Sequence, residues 1–304
     1  MIVVVGKESP AYVEAAGAAR IRFVDTLDDA ADVFGEMEAV IGRVPAAVLA
    51  KAPRLRWVHS PSAGVDADLS PEMLASPVVL TSSAGNGGIS LAEHSLLLML
   101  MLNRDVPRWM RAQADRRWDH FVHSELAGLT VGIYGLGNSG LDLALKAKAF
   151  HMRVLGVRRR PELPSPYVDE LCDLDRLLAE SDFVVVTAPR TASTAGVFGR
   201  EAFARMKSSA YFICISRGGI ADDDALLDAL RTGQIAGAGL DAHGVEPLPP
   251  ESAFWSLPNV IVTPHNGATS TGTRRRSQEI VAENVRRFVA GETLHNVVDK
   301  SAGY

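Results

Sequence analysis

The feature that most constrains the fold is a glycine fingerprint between an apolar strand and a helical run. Residues 129–134, LTVGIY, have the composition of a buried strand, and the next six residues, GLGNSG from Gly135 to Gly140, match the pattern GxGxxG. In that pattern the glycines allow a tight turn, close approach to a pyrophosphate and packing of helix on strand. The run from Leu141 to Phe150 is helical, and the free N–H groups at the N-terminus of this helix face the phosphates. The segment predicts a dinucleotide-binding unit; a glycine-rich turn without a ligand is the alternative.

The residues after the second strand of this unit indicate which dinucleotide it binds. The strand 154–157 ends at Arg158 and Arg159, about 20 residues after the fingerprint, where an NAD site places an acidic residue against the ribose 2′-hydroxyl. Arginine at this position suits a 2′-phosphate. We therefore predict NADP, as NADPH, with NAD as the second option. A solvated strand end that carries basic residues is the alternative interpretation.

Short apolar segments that alternate with helical patterns predict an α/β fold with two domains. With the first two strands, the segments 183–187, 211–215, 235–240 and 260–263 complete a six-stranded, doubly wound parallel Rossmann-type sheet. Strands near 2–5, 39–41, 57–59 and 78–80 predict a second, smaller flavodoxin-like α/β domain. We expect the last helix, 273–289, and the tail to return to this smaller domain. The expected division is 1–100 plus 272–304 for substrate binding and 101–271 for dinucleotide binding.

The helix before the fingerprint has a recognisable start. Ser90 and Glu93 match a capping box, and the residues that follow are apolar on every face through Leu102, which is typical of a buried helix. Glu93 and His94 lie on this helix and are therefore interpreted as structural rather than catalytic.

Composition and charge narrow the function classes. The chain has 304 residues, of which 47% are hydrophobic, as in a globular protein with a well-filled core. A net charge of −5 argues against nucleic-acid binding. The longest strongly apolar stretch, 96–102, is too short to span a bilayer. The two cysteines have no CxxC spacing, so no disulfide framework and no metal site is predicted. Without a basic leader before the first strand, we expect a cytoplasmic protein.

Three polar residues follow successive strands of the predicted Rossmann-type sheet, where ligands of such sheets bind. They are Arg217 after the strand 211–215, Glu246 past the strand 235–240, and His265 after the strand 260–263. A guanidinium holds a carboxylate, an imidazole passes a proton near neutral pH, and a carboxylate orients and charges that imidazole. Together they suit reduction of a 2-keto acid. Taken singly, each has a structural alternative: a surface ion pair, a turn residue and a capped loop histidine.

Over nearly its full length the chain resembles the D-isomer-specific 2-hydroxyacid dehydrogenase family. The shared motifs are AGVD at 63–66, AEH at 92–94, GLG at 135–137, MK at 206–207, SRG at 216–218, GLD at 239–241, EPLP at 246–249 and TPH at 263–265. The resemblance implies that Arg217 binds the substrate and that His265 is the acid/base, with Glu246 as its partner. The backbone N–H groups that it implies for the substrate carboxylate are those of Ala63, Gly64 and Val65.

The resemblance also implies where the cofactor lies. Asp241 would meet the nicotinamide carboxamide, and Thr187, Ala188 and Pro189 would line the adenosine side. The full set of expected cofactor contacts is Gly135, Gly137, Asn138, Ser139, Gly140, Arg158, Arg159, Thr187, Ala188, Pro189, Ile215, Asp241, His265 and Gly267.

Two positions depart from the family pattern. Cys214 stands where the family often has Asn, three residues before Arg217, and Arg158 replaces the usual acid. Together with the arginines, the loop 60–64 resembles the NADPH-dependent glyoxylate/hydroxypyruvate reductase branch. The expected reaction is reduction of a glyoxylate- or hydroxypyruvate-like 2-keto acid to the D-2-hydroxy acid.

Two other functions stay open. One is a reductase for a bulkier aromatic or branched 2-keto acid, with Trp57, Met99 and Trp118 lining an apolar pocket. The other is a non-catalytic, dinucleotide-sensing binding protein. The segment 107–123 carries aromatic residues among charges and predicts either a dimerisation arm or a lid of the same subunit. We expect a homodimer with a small-molecule substrate and with neither nucleic acid nor membrane as a partner.

Overall fold

The structure, a computed structural model, describes residues 1–303 and shows two compact units. The first unit contains residues 1–87 and the residues from Ser270 onward; the second contains residues 88–269. The expected boundary at residue 100 falls inside one unbroken helix, Gly88–Asn103. That helix belongs wholly to the second unit because its apolar side chains, including Leu98 and Met99, are buried in the core of that unit.

The sheet of the first unit has five parallel strands in the order β2-β1-β3-β4-β5, the flavodoxin-like order. The strands are β1 (Ile2–Val5), β2 (Ile21–Val24), β3 (Ala39–Ile41), β4 (Trp57–Ser60) and β5 (Val79–Ser82). The helices of this unit are α1 (Pro10–Ala16), a 3₁₀ segment (Leu27–Glu36), α2 (Ala46–Leu49), α3 (Pro71–Ala75) and the last helix of the chain, α10 (Thr271–Ala290).

The sheet of the second unit has seven parallel strands in the order β12-β11-β10-β9-β6-β7-β8. They are β6 (Thr130–Tyr134), β7 (Arg153–Val157), β8 (Glu170–Leu171), β9 (Phe183–Val186), β10 (Tyr211–Cys214), β11 (Gly237–Leu240) and β12 (Val260–Val262). The helices are α4 (Gly88–Asn103), α5 (Val106–Ala114), α6 (Asn138–Ala149), α7 (Leu174–Glu180), α8 (Arg200–Arg205), α9 (Asp223–Arg231) and a 3₁₀ turn (Ala253–Ser256). The strand order reverses between β6 and β9, and ligands of such sheets bind at this point, beyond the carboxyl ends of the strands.

Alternating residues of the central strands fill two cores, one on each face of this sheet. In β9, Val184 and Val186 belong to one apolar cluster, whereas Phe183 and Val185 belong to the other, and all four are fully buried. Burial on both faces is why these strands read as continuous apolar runs. The predicted fold class, a Rossmann-type sheet with a smaller flavodoxin-like domain, is confirmed.

The predicted start of the helix before the fingerprint is wrong. Helix α4 begins at Gly88, and the Ser90 hydroxyl donates to the carbonyl of Gly267 at 2.6 Å instead of capping the helix. The helix is also not buried on every face, since Leu97 is 49% exposed. Among the helices of residues 1–303, none combines the length and the apolar composition needed to cross a bilayer.

Candidate active site

The turn between β6 and α6 has the shape that a pyrophosphate needs. Gly135 has a φ of +107°, and a Cβ there would lie 2.5 Å from the backbone N of Ala188. A Cβ on Gly140 would lie 2.1 Å from the carbonyl oxygen of Gly135, so the third glycine lets α6 pack on the turn. A Cβ on Gly137 would meet nothing within 4 Å. Helix α6 begins at Asn138 without a side-chain cap, which leaves its first N–H groups for an anionic ligand. The turn therefore fits a dinucleotide.

The residues expected on the adenosine side lie directly beyond β9. The backbone N–H groups of Thr187 and Ala188 both donate to the carbonyl of Tyr134 at 3.0 Å, and the Thr187 hydroxyl donates to the carbonyl of Gly135. These bonds hold the end of β9 against the glycine turn. Pro189 is exposed next to them. Ile215 is only 2% exposed, so a cofactor contact at this position would use its main chain.

The two arginines after β7 differ in their surroundings. The Arg158 guanidinium donates to the Ser165 hydroxyl at 2.8 Å and to the carbonyl of Pro164 at 3.1 Å. Arg158 therefore braces the loop that leads from β7 to β8. Arg159 is exposed at the same strand end. No acidic residue stands between β7 and Arg160, which fits a ligand with an added phosphate.

Glu246 and His265 form a direct pair in the second unit. Nδ1 of His265 lies 2.8 and 2.9 Å from the two carboxylate oxygens of Glu246. A carboxylate accepts, so Nδ1 carries the proton and the Nε2 atom is left for a ligand. Burial raises the pKa of Glu246, but hydrogen bonds from the His243 N–H and from His265 outweigh it, so the pKa lies below its ordinary value. Glu246 is therefore a carboxylate at neutral pH.

His243 ties together the two loops that carry this pair. Its main-chain N–H donates to Glu246 at 2.9 Å, and its Nε2–H donates to the carbonyl of Thr263 at 2.9 Å. The same carbonyl accepts the N–H of His265 at 3.1 Å. His265 has a φ of +49°, a conformation that costs a non-glycine residue about 1–3 kcal/mol. These bonds hold His265 in this conformation, so His243 has a structural role.

The contact expected between Asp241 and the nicotinamide carboxamide stays a prediction. The side chain has no exposed surface, and its oxygens accept from the Thr263 hydroxyl at 2.7 Å and from the N–H groups of Asn266 at 3.0 Å and Gly267 at 2.9 Å. The Asp241 carboxylate therefore holds the His265 loop through three internal donors. His94 lies 3.0 Å from the same Thr263 hydroxyl, which supports its structural role.

Arg217 follows β10 on a loop packed against the loop of Glu246. A Cβ on Gly218 would lie 1.8 Å from the carbonyl oxygen of His243, so only glycine allows this approach. The guanidinium of Arg217 is half-buried and donates to the carbonyl of Ser216 at 2.7 Å. The Cys214 thiol lies 3.5 Å from the carbonyl of Arg217, and burial raises the pKa of this thiol to about 11. Cys214 therefore supports the loop as a neutral thiol. The three expected catalytic residues thus follow neighbouring strands of one sheet.

The remaining expected site residues lie in the first unit. Ala63 is exposed, Gly64 is half-buried, and Val65 is 2% exposed in the core of that unit, all between β4 and α3. Within residues 1–303, no group of three or more His, Cys, Asp and Glu side chains has the arrangement of a metal site.

Comparison with known proteins finds relatives that are named as dehydrogenases and reductases. A family model described as D-isomer specific 2-hydroxyacid dehydrogenase, NAD binding domain, matches residues 96–267. The glyoxylate/hydroxypyruvate reductase B of Pectobacterium carotovorum is 38% identical over 273 residues, which cover 85% of this chain and 83% of that protein. The D-3-phosphoglycerate dehydrogenase of Mycobacterium tuberculosis is 34% identical over all of this chain, which covers 59% of that longer protein. The chain thus spans between 49% and 59% of the length of the D-3-phosphoglycerate dehydrogenases that it matches.

Two solved structures resemble the chain along its whole length. The NADPH-dependent glyoxylate/hydroxypyruvate reductase of Sinorhizobium meliloti, in complex with NADP and sulfate, superposes with a TM-score of 0.85 at 31% identity, covering 100% of this chain and 99% of that one. A D-isomer specific 2-hydroxyacid dehydrogenase of Xanthobacter autotrophicus, in complex with NADPH and MES, gives 0.86 at 33% identity, with the same coverage.

Proposed function

The chain belongs to the D-isomer specific 2-hydroxyacid dehydrogenase family, and from this we propose that it reduces a small 2-keto acid, of the glyoxylate or hydroxypyruvate kind, to the D-2-hydroxy acid with NADPH. The observation that carries the proposal is the Glu246–His265 pair, 2.8 Å apart, in the unit that also holds the glycine turn. A carboxylate-held imidazole is a proton donor and acceptor suited to a carbonyl and alcohol couple.

In the proposed mechanism each residue acts on a different atom of the substrate. When bound, the nicotinamide dinucleotide supplies the hydride that the carbonyl carbon receives. Protonated His265 donates its Nε2 proton to the carbonyl oxygen, while Glu246 keeps Nδ1–H in place and stabilises the charged ring. Arg217 holds the substrate carboxylate and stabilises the negative charge that develops on the carbonyl oxygen. We assign further carboxylate binding to the backbone N–H groups of Ala63, Gly64 and Val65.

The preference for NADPH over NADH is part of the same proposal. It is supported by Arg158 and Arg159 at the end of β7 and by the NADP and NADPH bound to the two similar structures. We assign dinucleotide binding to the second unit and substrate binding to the first. A cytoplasmic location stays a prediction from the sequence.

A homodimer is also proposed. Segment 107–123 carries Trp118 and Val122, which are 96% and 94% exposed, and such side chains favour burial against a partner. The partner we propose is a second copy of this chain.

The alternative with a bulkier substrate receives less support. Trp57 and Met99 were expected to line an apolar pocket together with Trp118. Both have 0% exposed surface inside apolar cores, whereas Trp118 is almost fully exposed, so neither Trp57 nor Met99 presents a surface to a ligand.

A substrate panel with the purified protein tests the proposal. NADPH oxidation would be followed with glyoxylate, hydroxypyruvate, phenylpyruvate and a branched 2-keto acid, and NAD or NADP reduction with D-3-phosphoglycerate. We expect the highest kcat/KM with the two small keto acids and NADPH. Turnover of D-3-phosphoglycerate alone would assign the chain to the other group of relatives. Tight dinucleotide binding without turnover of any compound would favour the dinucleotide-sensing alternative.

A further inference from the structure

A continuous chain of hydrogen bonds crosses the first unit and ends at the loop that precedes Ala63. The successive distances are 2.8 Å from Trp57 Nε1 to Thr81 Oγ1, 2.8 Å from Thr81 Oγ1 to His59 Nδ1, 3.1 Å from His59 Nε2 to Ser83 Oγ, 3.0 Å from Ser83 Oγ to Ser277 Oγ, and 3.2 Å from Ser277 Oγ to the carbonyl oxygen of Pro61. The first four of these side chains belong to residues with 0% exposure. This series of hydrogen bonds therefore connects the core formed by β4 and β5 to helix α10 and to the loop that precedes Ala63.

The carbonyl at the end fixes the direction of every bond. A carbonyl oxygen only accepts, so Ser277 donates to Pro61 and must itself receive the proton of Ser83. Ser83 then accepts from Nε2–H of His59. Burial lowers the pKa of His59 to about 4, so the ring is neutral and its Nδ1 accepts from Thr81. Thr81 in turn accepts from the indole N–H of Trp57, which only donates. Each hydrogen bond from Trp57 to the carbonyl of Pro61 therefore has one defined direction.

The same residues hold three successive carbonyl groups of the loop. The N–H of Ser83 donates to the carbonyls of Ser60 at 3.1 Å and Ser62 at 3.0 Å, and Ser277 donates to the carbonyl between them. By contrast, the N–H groups of residues 63–65 donate to no acceptor in the part of the chain that the structure describes. The carbonyl groups of residues 60–62 thus accept hydrogen bonds within the first unit, whereas the N–H groups of residues 63–65 are left for an anionic ligand.

We propose that His59, acting through Ser83 and Ser277, is a positioning residue that sets the loop 60–65 for binding the substrate carboxylate. The inference rests on the proposed function, in which the N–H groups of residues 63–65 take that carboxylate. A buried, fully satisfied chain of polar groups specifies one arrangement and resists distortion, because breaking one link leaves a buried group without a partner.

Removing the last link gives the sharpest test. Ser277 is only half-buried, so Ser277→Ala deletes one hydroxyl without opening a core cavity. We expect the KM for the 2-keto acid to rise about five- to tenfold, with the KM for NADPH and kcat near those of the wild type, and a modest fall in melting temperature because the buried Ser83 hydroxyl loses its acceptor. Ser277→Thr keeps the hydroxyl and should restore the KM. His59→Leu should raise the KM as well, together with a loss of stability.

Ser256 offers a matched control. Its hydroxyl also donates to a backbone carbonyl, that of Ala253 at 3.1 Å, but in the second unit. Ser256→Ala should leave both KM values unchanged. An equal KM for the keto acid in Ser277→Ala, Ser256→Ala and the wild type would overturn the inference.

A second measurement does not depend on turnover. Hydrogen–deuterium exchange should speed up at residues 60–66 in Ser277→Ala and not in Ser256→Ala, and the ¹⁵N shifts of His59 should report the Nε2–H tautomer. If the wild type reduced none of the 2-keto acids, the proposed function would fail while faster exchange at 60–66 still supported the positioning role. Unchanged exchange, or the opposite tautomer, would overturn it. Should Ser277→Ala not fold, Ser277→Cys, with its weak S–H donor, carries the same test.

Discussion

At the scale of single residues, Glu246 has two tasks that depend on each other. It accepts from Nδ1 of His265 and from the N–H of His243, and His243 also holds the loop of His265 through the carbonyl of Thr263. The imidazole is therefore oriented by its carboxylate partner and by its own backbone. This double support explains how a non-glycine residue keeps a φ of +49° at the centre of the site.

The pH dependence of the two reaction directions follows from this pair. In the proposed mechanism the proton donated in reduction comes from His265 and returns to it in oxidation, so reduction should decline as pH rises while oxidation increases. The lowered pKa of Glu246 keeps its carboxylate charged through the neutral range, where it favours the protonated ring. Glu246→Gln removes this carboxylate and should lower kcat/KM in both directions. Profiles of kcat/KM against pH in both directions check this, and parallel profiles would contradict the opposed pH dependence.

The planar guanidinium of Arg217, and not only its positive charge, should be needed for activity. Arg217→Lys keeps the charge but loses the planar pair of donors, so we expect kcat/KM to fall at least about tenfold, or about 1.4 kcal/mol. Dinucleotide affinity, measured by fluorescence titration, should stay near that of the wild type. Unchanged kinetics would remove Arg217 from the site.

Cofactor choice should respond to the arginine that braces the β7–β8 loop. Arg158→Asp should weaken NADPH binding much more than NADH binding, because a 2′-phosphate loses a cationic partner and meets a like charge. Ser165→Ala is the control, since it removes the 2.8 Å bond to Arg158 but keeps the guanidinium. A wild type that prefers NADH, or an equal loss for both dinucleotides, would contradict this assignment.

The sequence was sufficient to bring Glu246 and His265 together but not to predict that Asp241 is buried. The pair follows β11 and β12, which are neighbouring parallel strands, so the strand order alone puts both residues at one sheet edge. Burial of Asp241 depends on three donors from the loop 263–267, and nothing in the residue pattern reports such a fold of the loop.

At the scale of elements, the packing of α6 requires one glycine of the GxGxxG turn but not another. Gly140 is needed for the helix to pack, because a Cβ would lie 2.1 Å from the Gly135 carbonyl oxygen. Gly137 has open space around its missing Cβ and a φ of −88°, which alanine can adopt. The fold itself therefore does not require glycine at position 137.

Two alanine variants test this difference. Gly137→Ala should keep the melting temperature but lower dinucleotide affinity at least about tenfold, since its methyl group occupies the space for the pyrophosphate. Gly140→Ala should lower both the melting temperature and the affinity. Thermal melts and isothermal titration with NADPH distinguish them. Equal dinucleotide affinity in Gly137→Ala and the wild type would place the pyrophosphate elsewhere.

The elements that the sequence did not predict have weak local signals. Strand β8 has only two residues, and β2 lies at a sheet edge with Arg22 in its centre, paired with Asp32. Edge strands carry little of the apolar alternation on which prediction rests. The start of α4 was misplaced because Ser90 and Glu93 match a cap, whereas the Ser90 hydroxyl bonds to Gly267, which is distant in sequence.

At the scale of the whole molecule, buried His59 links stability to pH. Burial lowers its pKa from 6.5 to about 4. Below pH 6.5 the unfolded chain therefore binds a proton at His59 that the folded chain does not bind. Stability from this group is complete above pH 6.5 and is lost as pH falls towards 4, by about 3 kcal/mol.

Denaturant unfolding between pH 7 and pH 4 measures this loss. His59→Gln cannot titrate, so its free energy of unfolding should change less with pH over that interval than that of the wild type. An identical pH dependence in the two proteins would show that His59 does not contribute to acid sensitivity.

The return of helix α10 to the first unit has a consequence for synthesis. Residues 1–87 are synthesised before residues 88–269, yet Ile2, Val4 and Trp57 pack against Val281 and Val285, which are synthesised after them. The second unit is one uninterrupted stretch and has all its partners once Thr269 has emerged. The second unit can therefore be completed before the first, and the apolar side of β1 and β4 stays uncovered until α10 has been synthesised.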